Sequence, residues 1–164
     1  WYKNRKAVFR TFIHAHTSLP DRHLNLVLVG PEPQKDELDK QLSNWIKLHP
    51  NTIFSLQNLP DNVIAELYKH AKALVFPSFI EGFGWPPLEA AVRGCPAITT
   101  RTGAIADLLG KYAKYVAPDN QKSIDQGVLQ VLQTARSSKS AITLPSNEDC
   151  RRQYFDLYQK MMGN

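Results

Sequence analysis

Apolar residues along the chain follow two alternating rhythms. Short, nearly continuous runs occupy residues 24–29, 52–56, 73–76, 97–100 and 114–116. Between them, residues 6–17, 35–48, 62–69, 87–93 and 123–135 place apolar side chains three or four positions apart. The first rhythm predicts strands and the second amphipathic helices. Strands that are apolar on both faces must be covered on both sides, and intervening helices let successive strands run parallel. The pattern therefore predicts an α/β fold, a doubly wound parallel sheet, with ligands expected outside the C-terminal strand ends.

Turn residues fall at the breaks. Gly30-Pro31 closes the first run, Pro60-Asp61 precedes a helix, Gly94 stands at a helix exit, and Gly103 and Gly110 punctuate the next region. The Ser-rich, apolar-poor stretch 136–147 reads as a loop leading into a last helix over 148–162. There Tyr154, Leu157, Tyr158 and Met161 share a helical face, which reads as core packing. No internal repeat is present.

Length and composition narrow this picture. At 164 residues, with 43% hydrophobic and 21% charged content, residues 1–164 read as a single globular domain. The chain starts at Trp1 in the middle of a pattern, which reads as a fragment of a longer protein. Cys95 lies in an apolar stretch far from Cys150, favouring a reduced, cytoplasmic setting and a buried thiol. No apolar run approaches the ~20 residues needed to span a bilayer, and no basic-then-apolar leader is seen. The formal charge of +5 permits nucleotides, acidic lipid or nucleic acid as partners, although a solvated basic face is the commonest meaning of such a surplus.

Chemistry concentrates in residues 76–96, Phe-Pro-Ser-Phe-Ile-Glu-Gly-Phe-Gly-Trp-Pro-Pro-Leu-Glu-Ala-Ala-Val-Arg-Gly-Cys-Pro. Gly82 and Gly84 allow a sharp turn and close approach of a ligand, while Pro86 and Pro87 suit a helix start, where a missing N–H is harmless. The tip of that helix offers N–H groups and a partial positive charge to phosphate or sugar oxygens. Glu81 and Glu89 bracket the turn with seven residues between them, and carboxylates accept hydrogen bonds from vicinal hydroxyls. Taken singly, each glutamate is ordinary; the composite is not.

That composite resembles the donor-site signature of glycosyltransferase family four, which has the GT-B fold. The likeness is close over 76–96 and continues, more weakly, from Lys3-Asn4 through Leu26-Val27-Leu28-Val29-Gly30-Pro31 to Tyr115-Val116-Ala117-Pro118-Asp119. It implies the Rossmann-like C-terminal, nucleotide-sugar-binding domain of a GT-B enzyme, whose N-terminal acceptor domain is absent from this chain. It also implies a retaining, metal-independent hexosyltransferase, with mannose or glucose as the hexose, a UDP- or GDP-linked donor as substrate and no cofactor. A glycan or lipid-linked acceptor and a role in lipopolysaccharide or other polysaccharide biosynthesis follow from the same likeness. The full-length protein is expected in the cytoplasm, with room for peripheral association at the inner membrane face, and the isolated fragment is expected to be inactive.

By this resemblance Glu81 contacts hydroxyls of the transferred sugar, Glu89 binds the ribose, and amides around Phe83 and Gly84 hold the donor. Lys3 meets the diphosphate, and Gly82, Trp85 and Leu88 complete the binding set. Independently, Lys3, Arg5, Lys6 and Arg10 crowd a predicted helix start, where cations are disfavoured unless an anion lies nearby; for Arg5, Lys6 and Arg10 a solvated or membrane-touching basic face is an equal reading, and Lys3 alone has the motif behind it. The chain departs from its relatives at Gln57-Asn58, where glycine is frequent, and at Asp107, where glutamate is common. Trp85 replaces an aliphatic residue, and a core role is favoured for it over a place beside the sugar.

Two other function classes compete: a non-catalytic nucleotide-sugar-binding module and a basic domain that binds nucleic acid, the latter not favoured. His14 and His16, one residue apart on a predicted helix, face different ways and suggest no metal site. No Gly-Lys-Ser/Thr follows the glycine turn, so a P-loop is excluded.

Overall fold

The computed structural model describes residues 2–31, 40–135, 142, 148–149, 151–152, 155–156 and 159. Strands β1 (Leu26–Val29), β2 (Ile53–Leu56), β3 (Leu74–Phe76), β4 (Ala97–Thr99) and β5 (Ala113–Tyr115) fall where the apolar runs predict them. Helices α1 (Arg5–Ser18), α2 (Lys40–Leu48), α3 (Asp61–His70), α4 (Trp85–Val92), α5 (Ile105–Leu109) and α6 (Gln121–Gln133) separate them. Helix α5 has no counterpart in the sequence reading, because five residues are too few for a 3.6-residue period to register. Of the helix expected over 148–162, residues 148–149, 151–152, 155–156 and 159 are helical; the rest of it, most of the loop expected over 136–147, the start of the helix expected over 35–48, and Cys150 lie outside the described residues.

All strand pairs are parallel, and the backbone ladders form two groups, β1-β2 and β3-β4-β5. In β3-β4-β5 the register sets Leu74, Val75 and Phe76 against Ala97, Ile98 and Thr99, and these against Ala113, Lys114 and Tyr115. The two groups are joined by side chains, since Leu24, just before β1, packs into the same apolar cluster as Ala73 and Val75.

Helices cover both faces. On one, Ala7 and Ala15 of α1 and Ile124 and Val128 of α6 bury Ile98 and Val116. On the other, Leu88 and Ala91 of α4 and Ile105 and Leu109 of α5 gather with Ala113 and Tyr115. Alternation along β5 explains the division, because Lys114 turns toward α6 and bonds Gln130 there while its neighbours face α5. Gly127 is required in α6, where a Cβ would collide with the Val116 side chain. Cys95 is buried, as its apolar surroundings predict.

Helix α2 is fastened to α1 by rings rather than aliphatic side chains. His16 stands edge-on to Trp45 with centroids 5.2 Å apart, Phe12 meets Trp45 likewise at 5.7 Å, and His49 stacks on Trp45 at 4.3 Å. His14 is exposed and takes no part in this cluster.

Candidate functional site

Three strand ends and the heads of α1 and α4 meet at the C-terminal edge of β3-β4-β5. After β3 the chain turns through 77–84 into α4; after β4 it turns through 100–104 into α5. Thr100, just beyond β4, donates its hydroxyl to the Ser78 carbonyl at 2.7 Å, and Ala104 N–H donates to the Gly82 carbonyl at 3.0 Å. The two turns are thereby locked together. Gly103 adopts a φ of +54°, and a Cβ on it would run into the carbonyl oxygens of Glu81 and Gly82.

The head of α1 reaches the same place. Phe79 N–H donates to the Tyr2 carbonyl at 2.8 Å, which lays Tyr2 and Lys3 alongside the turn after β3. Asn4, in the left-handed region, donates its side-chain amide to the Pro118 carbonyl beyond β5 at 2.7 Å. Lys3 is exposed, with its ammonium 5.8 Å from the Tyr2 ring centroid, and no carboxylate pairs with it among the described residues. The first turns of α1 and α4 contain no acidic residue, so neither helix dipole is compensated from within its own first turn.

Helix α4 starts at Trp85, two residues before its apolar spacing predicts, with Gly84 as N-cap at φ +82°. A Cβ at Gly84 would strike the Ile105 side chain, so only glycine brings α5 this close to the helix tip. Pro86 and Pro87 carry no N–H, and Leu88 N–H is taken by the Gly84 carbonyl. The N–H groups of Phe83, Gly84 and Trp85 have no partner among the described residues. Donors at the helix tip are thus concentrated at the turn itself.

The structure treats the two glutamates differently. Glu81 Oε1 is buried and has no hydrogen-bond partner among the described residues. A buried carboxylate oxygen left open is costly unless a donor meets it there. Glu89 is half-buried and bonded to Tyr68 of α3; burial first, and this carboxylate second, hold the Tyr68 hydroxyl well above its ordinary 10. Arg93 donates to the Glu89 carbonyl at 3.1 Å and lies over the Tyr68 ring. Glu89 is therefore oriented by its neighbours and keeps lone pairs for a further donor.

Gly82 and Phe83 are exposed, so the turn opens to solvent. Leu88 is buried among Ala91, Ile105 and Leu109, where it supports the turn from behind. Trp85 departs from the core role favoured for it: 60% of it is exposed, because it is the first residue of α4 and lies ahead of the helix's buried stripe at Pro87, Leu88, Ala90 and Ala91. Asn58, at φ +52°, adopts the backbone that glycine would supply after β2, and asparagine tolerates it. Burial raises the Tyr115 hydroxyl, Arg101 over its ring at 4.1 Å opposes this, and the exposed Asp107 adds a smaller upward push.

Tyr68 and Thr100 were not visible as site residues in the sequence, and Gly103 showed only as turn punctuation. Tyr68 sits on a helical face of ordinary appearance, and only the packing of α3 on α4 brings it to Glu89. A groove of about 320 Å³ lined by Arg22, Lys72, Lys114 and Leu132 lies at the opposite strand ends. Arg22 caps the Leu132 carbonyl and Lys114 bonds Gln130, so two of its cations serve the C-terminal end of α6. A cation that no described carboxylate pairs with, open main-chain donors and an unmet carboxylate oxygen occur together at the turn instead, a combination suited to a ligand bearing both oxyanions and hydroxyls.

The family model described as Glycosyl transferases group 1 matches residues 4–143. The chain is 35% identical over 109 residues to the O-antigen chain mannosyltransferase RfbU of Salmonella typhimurium, covering 66% of this chain and 30% of that protein. It is 30% identical over 148 residues to the O-antigen chain mannosyltransferase B of Escherichia coli, covering 82% of this chain and 37% of that one. The chain thus spans about a third of the length of these curated relatives. Its fold resembles the C-terminal domain of the group 1 glycosyl transferase LpcC from Francisella tularensis, with a TM-score of 0.67 and 23% identity over 81% of this chain and 70% of that one.

Proposed function

Because the chain belongs to the glycosyl transferases group 1 family, we propose that it is the donor-binding half of a retaining hexosyltransferase. The hexose, mannose or glucose, comes from a UDP- or GDP-linked donor and passes to a glycan or lipid-linked acceptor. The roles of the similar mannosyltransferases in O-antigen chains support lipopolysaccharide or a related surface polysaccharide as the product class. No helix among the described residues is long and apolar enough to cross a membrane, and a cytoplasmic protein touching the inner face peripherally fits this reading.

The observation that carries the proposal is the unmet Glu81 Oε1 beside the unpartnered N–H groups of Phe83, Gly84 and Trp85. An acceptor oxygen facing sugar hydroxyls and donors facing a diphosphate are what a nucleotide sugar needs. Glu89, steadied by Tyr68, takes the ribose hydroxyls. Lys3, held beside the turn through Tyr2, meets the diphosphate.

Transfer then relies on positioning and charge. As the bond from the anomeric carbon to the diphosphate lengthens, negative charge grows on the leaving oxygens, where Lys3 and the α4 tip stabilise it. The departing phosphate lies on the face from which the acceptor attacks and takes the acceptor hydroxyl proton, giving retention. Glu81 orients the sugar. With these groups neutralising the diphosphate, the reading requires no metal.

Calorimetric titration of UDP, GDP and their sugars into the full-length protein tests this. Glu89→Ala should weaken nucleotide binding about 10- to 100-fold, the loss of one or two charge-assisted hydrogen bonds. Glu81→Gln should cost the sugar nucleotide affinity while sparing the free nucleotide. Absence of nucleotide binding by the wild-type protein, or binding indifferent to Glu89 and steeply salt-dependent with nucleic acid, would overturn the reading.

A further inference from the structure

Main-chain groups of Phe83 and Trp85 serve the donor in the reading above, which leaves their side chains without a task. We propose that these two rings form an acceptor subsite, a stacking platform for one pyranose ring of the acceptor glycan at the edge of the donor turn. The proposal rests on the donor-site reading and adds to it where the second substrate lies.

Both rings stand in solvent, Phe83 at 40% and Trp85 at 60% exposure, with Ile80 at 64% beside them in sequence. Exposed large apolar groups that gather at one place mark a binding surface more often than those scattered singly. The pair is also held in place. Gly84 between them is fixed in the left-handed region by Ile105, and Pro86 and Pro87 stiffen the turn that follows. The ring centroids lie 4.5 Å apart with planes inclined by 38°. Such a pair forms a shallow, angled surface rather than two parallel walls.

Charge complementarity selects the occupant. The faces of aromatic rings are negative, and the axial C–H bonds of a pyranose are weakly positive, so a sugar lies face-on against them. Its equatorial hydroxyls then point away from the rings. A flat nucleobase prefers an unobstructed parallel face and polar groups that read its edge. The two planes, inclined by 38°, offer no such parallel face. A puckered, hydroxyl-rich ring fits an inclined pair.

The consequence is a division of labour within three residues: the backbone of 83–85 holds the diphosphate of the donor, and the side chains at 83 and 85 hold the sugar that receives. Substitution of Trp85 should therefore act far more strongly on acceptor affinity than on donor affinity.

The test uses the full-length protein, with mannotriose and maltotriose as acceptor probes and UDP and GDP as donor-site probes, all followed by calorimetry. Wild-type protein should bind at least one trisaccharide. Trp85→Ala should weaken that binding at least tenfold more than it weakens nucleotide binding, and Trp85→Phe, which keeps an aromatic face, should recover most of the loss. Equal losses for trisaccharide and nucleotide, or trisaccharide affinity unchanged in Trp85→Ala, would overturn the subsite. So would failure of the wild-type protein to bind either probe. A lowered melting temperature in Trp85→Ala and Trp85→Leu with trisaccharide affinity intact would show the rings packing against protein instead, and equally overturn it. Failure of the donor reading is seen separately, as absent nucleotide binding by the wild-type protein.

Discussion

The half of the domain built on β3-β4-β5 and the half built on β1-β2 share a strand-and-helix plan but enclose their apolar surface to different degrees. Every residue of β4 is buried, and the turns beyond β3 and β4 are fitted so closely that a methyl group at Gly103 has nowhere to go. Along β1, by contrast, Val27 and Val29 reach solvent, the latter at 51%, and α3 buries none of its residues fully. The difference teaches that precision is concentrated where two turns must be held in one relative position. The other half supplies one orienting contact, Tyr68, and needs less exact packing to do so.

Four substitutions break or sharpen this contrast. The largest effect is expected from Gly103→Ala, which forces a Cβ against two carbonyl oxygens in a left-handed backbone. It should lower unfolding free energy by about 3 to 4 kcal/mol in urea titrations and abolish nucleotide binding, combining overpacking with backbone strain. Ile98→Ala, at a fully buried position of β4, should cost about 3 kcal/mol. A loss below about 1 kcal/mol at either site would erase the claim that this half is the tightly determined one.

Tyr68 sharpens the comparison through pH. Its hydroxyl is raised above its ordinary 10 by burial and then by Glu89, so the folded state holds the proton more tightly than the unfolded chain. The associated stability is intact below pH 10 and is lost as pH rises toward the folded-state value. Unfolding followed from pH 9 to 11 should show a decline of up to about 1 kcal/mol that is shallower in Tyr68→Phe. The smallest effect belongs to Val29→Thr on the exposed face of β1, within about 0.5 kcal/mol. A cost above about 2 kcal/mol there would show that the open half is as tightly built as the other.

Much of the architecture was legible in the sequence for a simple reason. Buried parallel strands such as Ala97–Thr99 are apolar but for a β-branched threonine, and helices longer than two turns repeat their apolar positions, so both leave a pattern. Helix α5 left none, being a single turn and a half, and the separation of the backbone ladders into two groups depends on strand spacing that residue type does not encode. At the site, the glycines, prolines and glutamates of the turn were visible because their chemistry is unusual at that spacing. Tyr68 escaped notice because its role arises only when α3 is laid on α4. Trp85 was misjudged for the opposite reason: a large apolar residue is normally assigned to the interior, and only its position ahead of the buried stripe keeps it outside.

The single bond from the Phe79 amide to the Tyr2 carbonyl has a mechanical meaning. It ties Tyr2 to the rim of the glycine bend, so the position of Tyr2 is coupled to the loop that carries Glu81. On the proposed reading, a displacement of Tyr2 passes to the loop whose carboxylate faces the hexose, through one main-chain bond.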